Sequence, residues 1–296
     1  MLVINKNKSF YYGLSAVFLW STSATAIELA LEVLDVFQLL FFSTFTSAII
    51  LCSIVCYQGK GILFFSAIKT KLSYFLGMAI LNPLVFYFLL FSAYGRLPAQ
   101  QAQTINYTWA ITLGLLSVPL LGQRLGKVDF LAMFLGYFGV VIIATQGSVL
   151  SLKFTDELGV FLALASTIVW AFYWIMNAAQ KLDPLVGLAI NFTFAAPFAF
   201  VLTLLFSDSL IVNLDAIYPA IYIGICEMGI AYVFWIFALR KTTSISRVGN
   251  LIFLSPVLSL VFISLILNET IQLATLIGLV LIIPGIYLQN RKGQAE

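Results

Sequence analysis

The chain has 296 residues, of which 62% are hydrophobic and only 9% charged, with a mean hydropathy of +1.06. A soluble domain carries roughly a quarter charged residues, so this composition excludes a water-soluble fold and points to an integral membrane protein. The formal charge of +3 comes without any basic run interleaved with aromatics, which argues against a nucleic-acid partner.

A helix crossing about 30 Å of hydrocarbon needs roughly 20 residues. Dividing the chain at charges and turn residues gives ten such stretches, at about 10–30, 36–57, 72–94, 98–121, 127–146, 158–179, 185–206, 216–239, 244–267 and 271–289. The first of them mimics a secretory signal, with Lys6 and Lys8 ahead of an apolar run and Ser23-Ala24-Thr25-Ala26 behind it. The repeat described below requires this segment as a span, so cleavage is not expected.

Charge placement orients the spans. With the N-terminus inside, all of the 15 basic residues except Arg96 and Lys153 fall at cytoplasmic ends and loops. Most acids, including Glu32, Asp35, Asp156, Glu157, Asp208, Asp215 and Glu269, fall outside. This positive-inside pattern implies a multi-pass protein of the inner (plasma) membrane with both termini cytoplasmic. The chain has no histidine, and Cys52, Cys56 and Cys226 all lie in apolar stretches, so neither a metal nor a cofactor is expected.

An offset of about 146 residues lays spans one to five on spans six to ten. Gly13 then meets Gly159 and Gly139 meets Gly285; at an offset of about 145, Tyr87-Phe88-Leu89 meets Tyr232-Val233-Phe234. Five spans per copy is an odd number, so the second copy must sit upside down in the membrane. The expected fold is an all-α membrane protein of ten transmembrane helices, built as two inverted five-helix repeats at 1–146 and 147–296 within one membrane domain. Inverted repeats are a mark of alternating-access carriers, whose sites lie near the midplane between the repeats.

The span count, the paired halves and the short turns Leu121-Gly122-Gln123 and Leu267-Asn268-Glu269 resemble the drug/metabolite transporter superfamily, specifically its ten-helix EamA-type members. That family usually shows a glutamate in both turns. Here Glu269 keeps it, and Gln123 stands in the first turn.

Glu227, in Ile225-Cys226-Glu227-Met228-Gly229, is placed by its distance from Asp215 and Arg240 at the middle of span eight. A charge at this depth costs about 3 kcal/mol and by default marks a pathway, a relay or a pairing partner. It is the candidate for proton coupling, for contact with a substrate amine, or for pairing with Arg247. Its repeat partner is Asn82, beside Pro83, where a lost backbone hydrogen bond should break span three. Span four carries Gln103, Asn106 and Trp109 at helical spacing on one face, and amide and indole groups there must point away from lipid. Trp20-Ser21 in span one and Trp170 and Tyr173 in span six lie in paired helices, and Trp20 and Trp170 sit about half-way along their spans, where an interfacial belt does not account for them. Arg247, with Asn250 one turn on, either snorkels to the cytoplasm or binds an anionic group of the substrate. The plain alternative for each of these residues is hydrogen bonding or packing between helices. By contrast, Ala132/Gly136/Gly139 and Ala274/Gly278/Gly285 read as small faces for close helix approach.

The runs Leu19-Trp20-Ser21-Thr22 and Asn106-Tyr107-Thr108-Trp109, with Ser255-Pro256-Val257-Leu258-Ser259, resemble the aromatic amino-acid exporters of this superfamily. That resemblance implies that Trp20, Tyr107, Trp109 and Trp170 line a central cavity. The sequence thus points to a secondary transporter of a small polar or amphipathic metabolite, an amino acid or a related compound, with export as the implied direction. Its partners are a small-molecule substrate and the lipid bilayer, with protons and a homodimer left open. An importer or an ion-coupled permease of another substrate remains an alternative. A channel or lipid translocase is a rival from another class. An intramembrane enzyme would need converging nucleophile, base or metal ligands that the sequence lacks. No phosphate-binding loop is present to support transport driven by ATP on this chain.

Overall fold

A computed structural model describes residues 6–121, 127–150, 154–178, 182–209, 214–241 and 250–292. Every regular element among them is helical. In chain order they are α1 (Lys6–Ser21), α2 (Ser23–Leu31), α3 (Val36–Tyr57), α4 (Gly61–Ala79), α5 (Phe86–Tyr94), α6 (Ala99–Asn106) and α7 (Trp109–Leu121). There follow α8 (Lys127–Ala144), α9 (Glu157–Ala178), α10 (Pro184–Phe206), α11 (Leu214–Tyr222), α12 (Ala231–Lys241), α13 (Leu254–Ile266) and α14 (Leu273–Lys292). Six stretches are each long and apolar enough to cross a membrane: Lys8–Leu31, Val36–Tyr57, Gly61–Tyr94, Glu157–Asn177, Pro184–Phe206 and Ile217–Ala238. The apolar helices Met133–Ala144, Leu254–Ile266 and Leu273–Gly285 are shorter.

The helices fall in the order of the ten spans read from the sequence, but among the described residues spans one, three, four and eight are not continuous. Span one is α1 and α2, broken at Thr22, where the hydroxyls of Ser21 and Thr22 turn back to the carbonyls of Phe18 and Leu19 at 2.6 and 2.7 Å. Such back-bonding competes with the helical ladder and bends helices. Span three is α4 and α5 joined by a π-helical stretch, Ile80–Val85, in which Asn82 is non-helical and Pro83 has no N–H to give. Span four is α6 and α7, parted at Tyr107 and Thr108. Span eight is α11 and α12 joined by a second π-helical stretch, Ile223–Ile230. One boundary differs from the sequence reading: span three was placed from residue 72, yet α4 reaches back to Gly61 with a kink at Lys71. Charged residues therefore mark a bend in this helix, not its start.

The packing repeats the internal symmetry of the sequence. Span one lies against span eight and span six against span three; span one touches span nine and span six touches span four. Spans two and seven pack on each other, as do five and ten. Helix starts match as well. Asp35 accepts from the N–H groups of Phe37 and Gln38 at the start of α3, and Asp183 accepts from those of Leu185 and Val186 at the start of α10. The ends of the bundle are tied separately. Lys60 pairs with Asp183 at 2.9 Å at one end, while Ser207 binds Asp35 at 2.9 Å and Arg96 faces Asp156 at 3.4 Å at the other. These ties agree with spans that reverse direction at every turn.

The small faces of spans five and ten meet. A Cβ on Gly278 would lie 2.4 Å from the side chain of Ile143 and 2.9 Å from the carbonyl oxygen of Gly139. Gly136 is pressed instead against Ile111 of span four. Close backbone approach is the main source of helix association in lipid, where burial of apolar surface offers no drive. Replacing Gly278 with leucine should therefore destabilise the protein by about 1–3 kcal/mol, the range for overpacking. The expected result is a lowered midpoint of thermal unfolding, followed by tryptophan fluorescence in detergent, while Gly77→Leu, where nothing lies within 4 Å of a Cβ, leaves it nearly unchanged.

Candidate functional site

Residues at or beside the interruptions of spans one, three and eight come into contact. Glu227 sits in the π-helical stretch of span eight, and its carboxylate is held by two other spans: Ser23 Oγ donates to Oε2, and Tyr87 OH donates to Oε1 at 3.2 Å. Its carbonyl accepts from Trp20 Nε1 at 3.4 Å. A π-turn carries more residues than an α-turn, which re-aims the side chains that follow it. Consequently Gly224, three residues before Glu227, does not share its face: a Cβ there would lie 2.5 Å from the carbonyl oxygen of Ser43 on span two.

Asn82 occupies the equivalent π-helical stretch of span three and is 0% exposed. Neither its amide nitrogen nor its amide oxygen has a hydrogen-bond partner among the described residues. The phenols of Tyr173 and Tyr232 lie beside it. Trp174 Nε1 and Asn191 Oδ1, the one next to Tyr173 in sequence and the other on the residue that donates to Tyr173 OH at 3.3 Å, are also buried without a partner. Native proteins leave few buried polar atoms unpaired, and several around one point mark a place for a ligand or water.

Aromatic rings wall this centre. Trp170 stacks on Phe86 at 4.4 Å and on Tyr173 at 5.9 Å, and meets Trp109 and Tyr232 edge-on. Trp20 closes the other side, edge-on to Tyr232 at 6.0 Å. Span four supplies the polar floor. Gln103 accepts from Tyr94 OH and donates to Ser259 at 3.1 Å, Asn106 donates to Ser166 at 2.9 Å, and Tyr107 OH donates to Ser255. The expected inward face of this span is thus shared between two neighbours, span nine and span six. Ser21 bonds within its own helix, and its carbonyl accepts from Ser259 at 2.8 Å.

Of the residues singled out in the sequence, Trp20, Asn82, Trp109, Trp170, Tyr173 and Glu227 come together in this centre. Gln103, Asn106 and Tyr107 flank it through hydrogen bonds to other spans. Arg247 lies outside the described residues, as does Gln123; Asn250 begins a short 3₁₀ turn, Asn250–Phe253. Sequence reasoning overlooked Ser23, Tyr87, Tyr232, Ser255 and Ser259. The two tyrosines carried a signal, since they match at the repeat offset, and Ser255 and Ser259 stand in a run that resembles aromatic amino-acid exporters; Ser23 carried none, because a hydroxyl in an apolar helix often only bonds its own backbone. Among the described residues, no three Cys, Asp or Glu converge as metal ligands would.

Glu269 has a separate place. It caps the start of α6, accepting from Ala99 N–H at 3.0 Å and from Gln100 Nε2 at 3.0 Å. Gln100 also donates to the carbonyl of Thr270 and accepts from Gln272 N–H and Thr275 Oγ1, both at 2.9 Å. The turn between spans nine and ten is thereby fastened to the half-helix that presents Gln103 and Asn106.

A helical membrane protein whose two halves interlock through broken spans around a polar, aromatic-walled centre is built as carriers are built. Comparison with known proteins agrees. Residues 7–145 and 157–291 each match the EamA-like transporter family. The chain is 26% identical over 226 residues to the uncharacterized transporter YvbV of Bacillus subtilis, covering 75% of this chain and 73% of that one. It is 25% identical over 289 residues to an uncharacterized transporter of Archaeoglobus fulgidus, covering 93% and 94%. A crystal structure with 18% identity superposes with a TM-score of 0.69 over 98% of this chain and 99% of the other, which establishes likeness of fold. The chain belongs to the EamA-like transporter family, within the drug/metabolite transporter superfamily.

Removing the Gln100 side chain should loosen α6 from the turn it grips. Gln100→Leu leaves Gln272 N–H, Thr275 Oγ1 and the Glu269 carboxylate short of partners, a loss of about 1–3 kcal/mol. Thermal unfolding of the purified protein is expected to show that loss, and Glu269→Gln, which keeps an acceptor for Ala99 N–H, a smaller one.

Proposed function

We propose that the chain is a secondary transporter that carries a small polar or amphipathic metabolite, an amino acid or a related compound, by alternating access, with export as its direction. The observation that carries this reading is the amide of Asn82, fully buried at a helix interruption beside the phenols of Tyr173 and Tyr232, whose rings pack on Trp170. An aromatic wall with a few fixed polar groups suits a ligand that is part apolar and part hydrogen-bonding. Two inverted repeats supply the two conformations that alternating access needs. Amino acids as substrates, and export, follow from the resemblance of the Trp20-Ser21-Thr22 and Asn106-Tyr107-Thr108-Trp109 runs to aromatic amino-acid exporters. Arg247 would then meet the carboxylate of such a substrate from the start of span nine.

Glu227 supplies the group for proton coupling, since it is a carboxyl at mid-membrane between a serine and a tyrosine of two other spans. Saturable, substrate-specific counterflow in proteoliposomes separates this carrier from a channel, a lipid translocase or an intramembrane enzyme, none of which shows it. A ligand screen by thermal shift, amino acids first, identifies the substrate, because a bound ligand raises the unfolding midpoint by mass action.

For coupling, Glu227→Ala is expected to abolish concentrative transport between pH 5.5 and 8, while Glu227→Gln retains exchange but loses its dependence on pH. Normal transport by both variants across that range would remove Glu227 from coupling and from substrate contact. Arg247→Gln is expected to raise the KM for an anionic or zwitterionic substrate about tenfold or more, since hydrogen bonds to charged groups contribute about 1.5–3 kcal/mol. An unchanged KM would assign Arg247 to the interface alone.

A further inference from the structure

Glu28, in span one, is an acid that the centre does not use. It lies in α2 between Ser23, which serves Glu227, and the end of the span at Leu31. A carboxylate that merely ended a span would turn its oxygens to water. Oε2 of Glu28 is instead buried and has no hydrogen-bond partner among the described residues. One helical turn away Thr25 is 3% exposed, and its hydroxyl oxygen is likewise buried without a partner. Residues three apart are neighbours on a helix surface. Two unpaired oxygens, one of a carboxylate and one of a hydroxyl, therefore lie next to each other.

Their surroundings decide what can fill them. The charges that act on Glu28 are those of Glu269, in the turn between spans nine and ten, and of Glu32, one turn further on. Tyr94 of span three is within reach of Glu28 and Glu269 alike, and its hydroxyl proton goes to Gln103. Of the helices of other spans packed on α2, α3, α5, α6 and α13 carry no charged residue. The charges on α11 and on the π-helical stretch of span eight are again acids, Asp215 and Glu227. Arg96, the basic side chain at this end among the described residues, faces Asp156. A buried carboxylate without a counter-charge is unfavourable, and hard oxygen donors in acidic surroundings suit a cation. Both oxygens of Glu269 already accept, from Ala99 N–H and Gln100 Nε2. One carboxylate is left to balance the ion, which sets its charge at one.

We propose that Thr25 and Glu28 form a binding site for a monovalent cation, with Thr25 Oγ1 and Glu28 Oε2 as its protein ligands. The ion is an alkali metal ion or the ammonium group of a substrate, which present the same charge to these oxygens. Glu28 stands about 7.5 Å farther along α2 than Ser23, so the site is separate from Glu227. Glu28 as a residue is partly exposed, which leaves the ion a way in. Bound there, a cation draws α2 toward the turn that grips α6. The site itself stands on these contacts; only its use in transport rests on the carrier reading.

The test follows thermal unfolding of the full-length protein in detergent near neutral pH by tryptophan fluorescence. Choline chloride is replaced stepwise by sodium, potassium or methylammonium chloride at constant ionic strength. At least one of the three is expected to raise the midpoint saturably, by about 3–5 °C at about ten times its dissociation constant. Response to a metal ion or to methylammonium separates an alkali ion from a substrate amine. Glu28→Gln should abolish the rise, and Thr25→Val should increase the half-saturating concentration about tenfold. Glu32→Gln, at an exposed position, should leave the rise in place. Should Glu28→Gln not fold, Glu28→Asp, which draws the carboxylate back by one methylene, should weaken binding about tenfold. No rise with any of the cations, or a rise that Glu28→Gln and Thr25→Val keep, overturns the site and leaves the transporter reading to the counterflow assay. A rise lost equally in Glu32→Gln is screening of surface charge and overturns the site as well. Saturable cation binding without counterflow would overturn the transporter reading and leave the site standing.

Discussion

Hydrocarbon accepts and donates no hydrogen bonds, and the rest of this structure follows from that. A backbone N–H or C=O left unpaired in the bilayer costs several kcal/mol, so a span may break only where protein surrounds the break. This chain breaks four spans, at Thr22, at Asn82–Pro83, at Tyr107–Thr108 and around Glu227. The breaks at Thr22, at Tyr107–Thr108 and around Glu227 are served by hydroxyls or an indole from their own or neighbouring helices. Gathering the breaks in one place lets each help satisfy the others, and it also concentrates the polar groups that a substrate site requires.

The scaffold around this centre is made from the opposite material. Gly139 and Gly278 let spans five and ten approach backbone to backbone, and Gly224 does the same between spans eight and two. Polar side chains at the ends of the bundle tie loops together, with Lys60 on Asp183 at one end and Gln100 on Glu269 and the turn after it at the other. The Gln100 network fixes α6 where it starts, so Gln103 and Asn106 are aimed from a rigid half-helix. Frame and centre are made of different residues: glycine contacts and end ties in the frame, and hydroxyls, amides and aromatic rings in the centre.

Much of this was legible in the sequence because lipid imposes simple rules. Apolar runs of fixed length located the spans, the offset between halves located the repeat, and a carboxylate and an amide at matched depth located the centre. Depth and chemistry singled out Asn82, Glu227, Trp20 and Trp170 without any view of contacts, and helical spacing added Trp109; the structure places these side chains near one another. Helix direction was harder. A face drawn with 3.6 residues per turn through Gln103, Asn106 and Trp109 assumes an unbroken helix, and that span is broken at Tyr107 and Thr108. Charges misplaced one boundary, since Lys69 and Lys71 lie on a helix that continues back to Gly61.

The sequence by itself determined that the chain lives in a membrane, that it has two like halves of opposite orientation, and that polar residues meet near its middle. Burial of charge and backbone in lipid is so unfavourable that composition and period suffice for these conclusions. Only the tertiary structure decided which hydroxyl serves which acceptor: that Ser23, and not Ser21, reaches Glu227, and that Tyr87 meets both Glu227 and Tyr232. Those choices turn on ångström-scale geometry between helices far apart in the chain. A hydroxyl in an apolar run reads the same whether it faces its own backbone or a residue of another span.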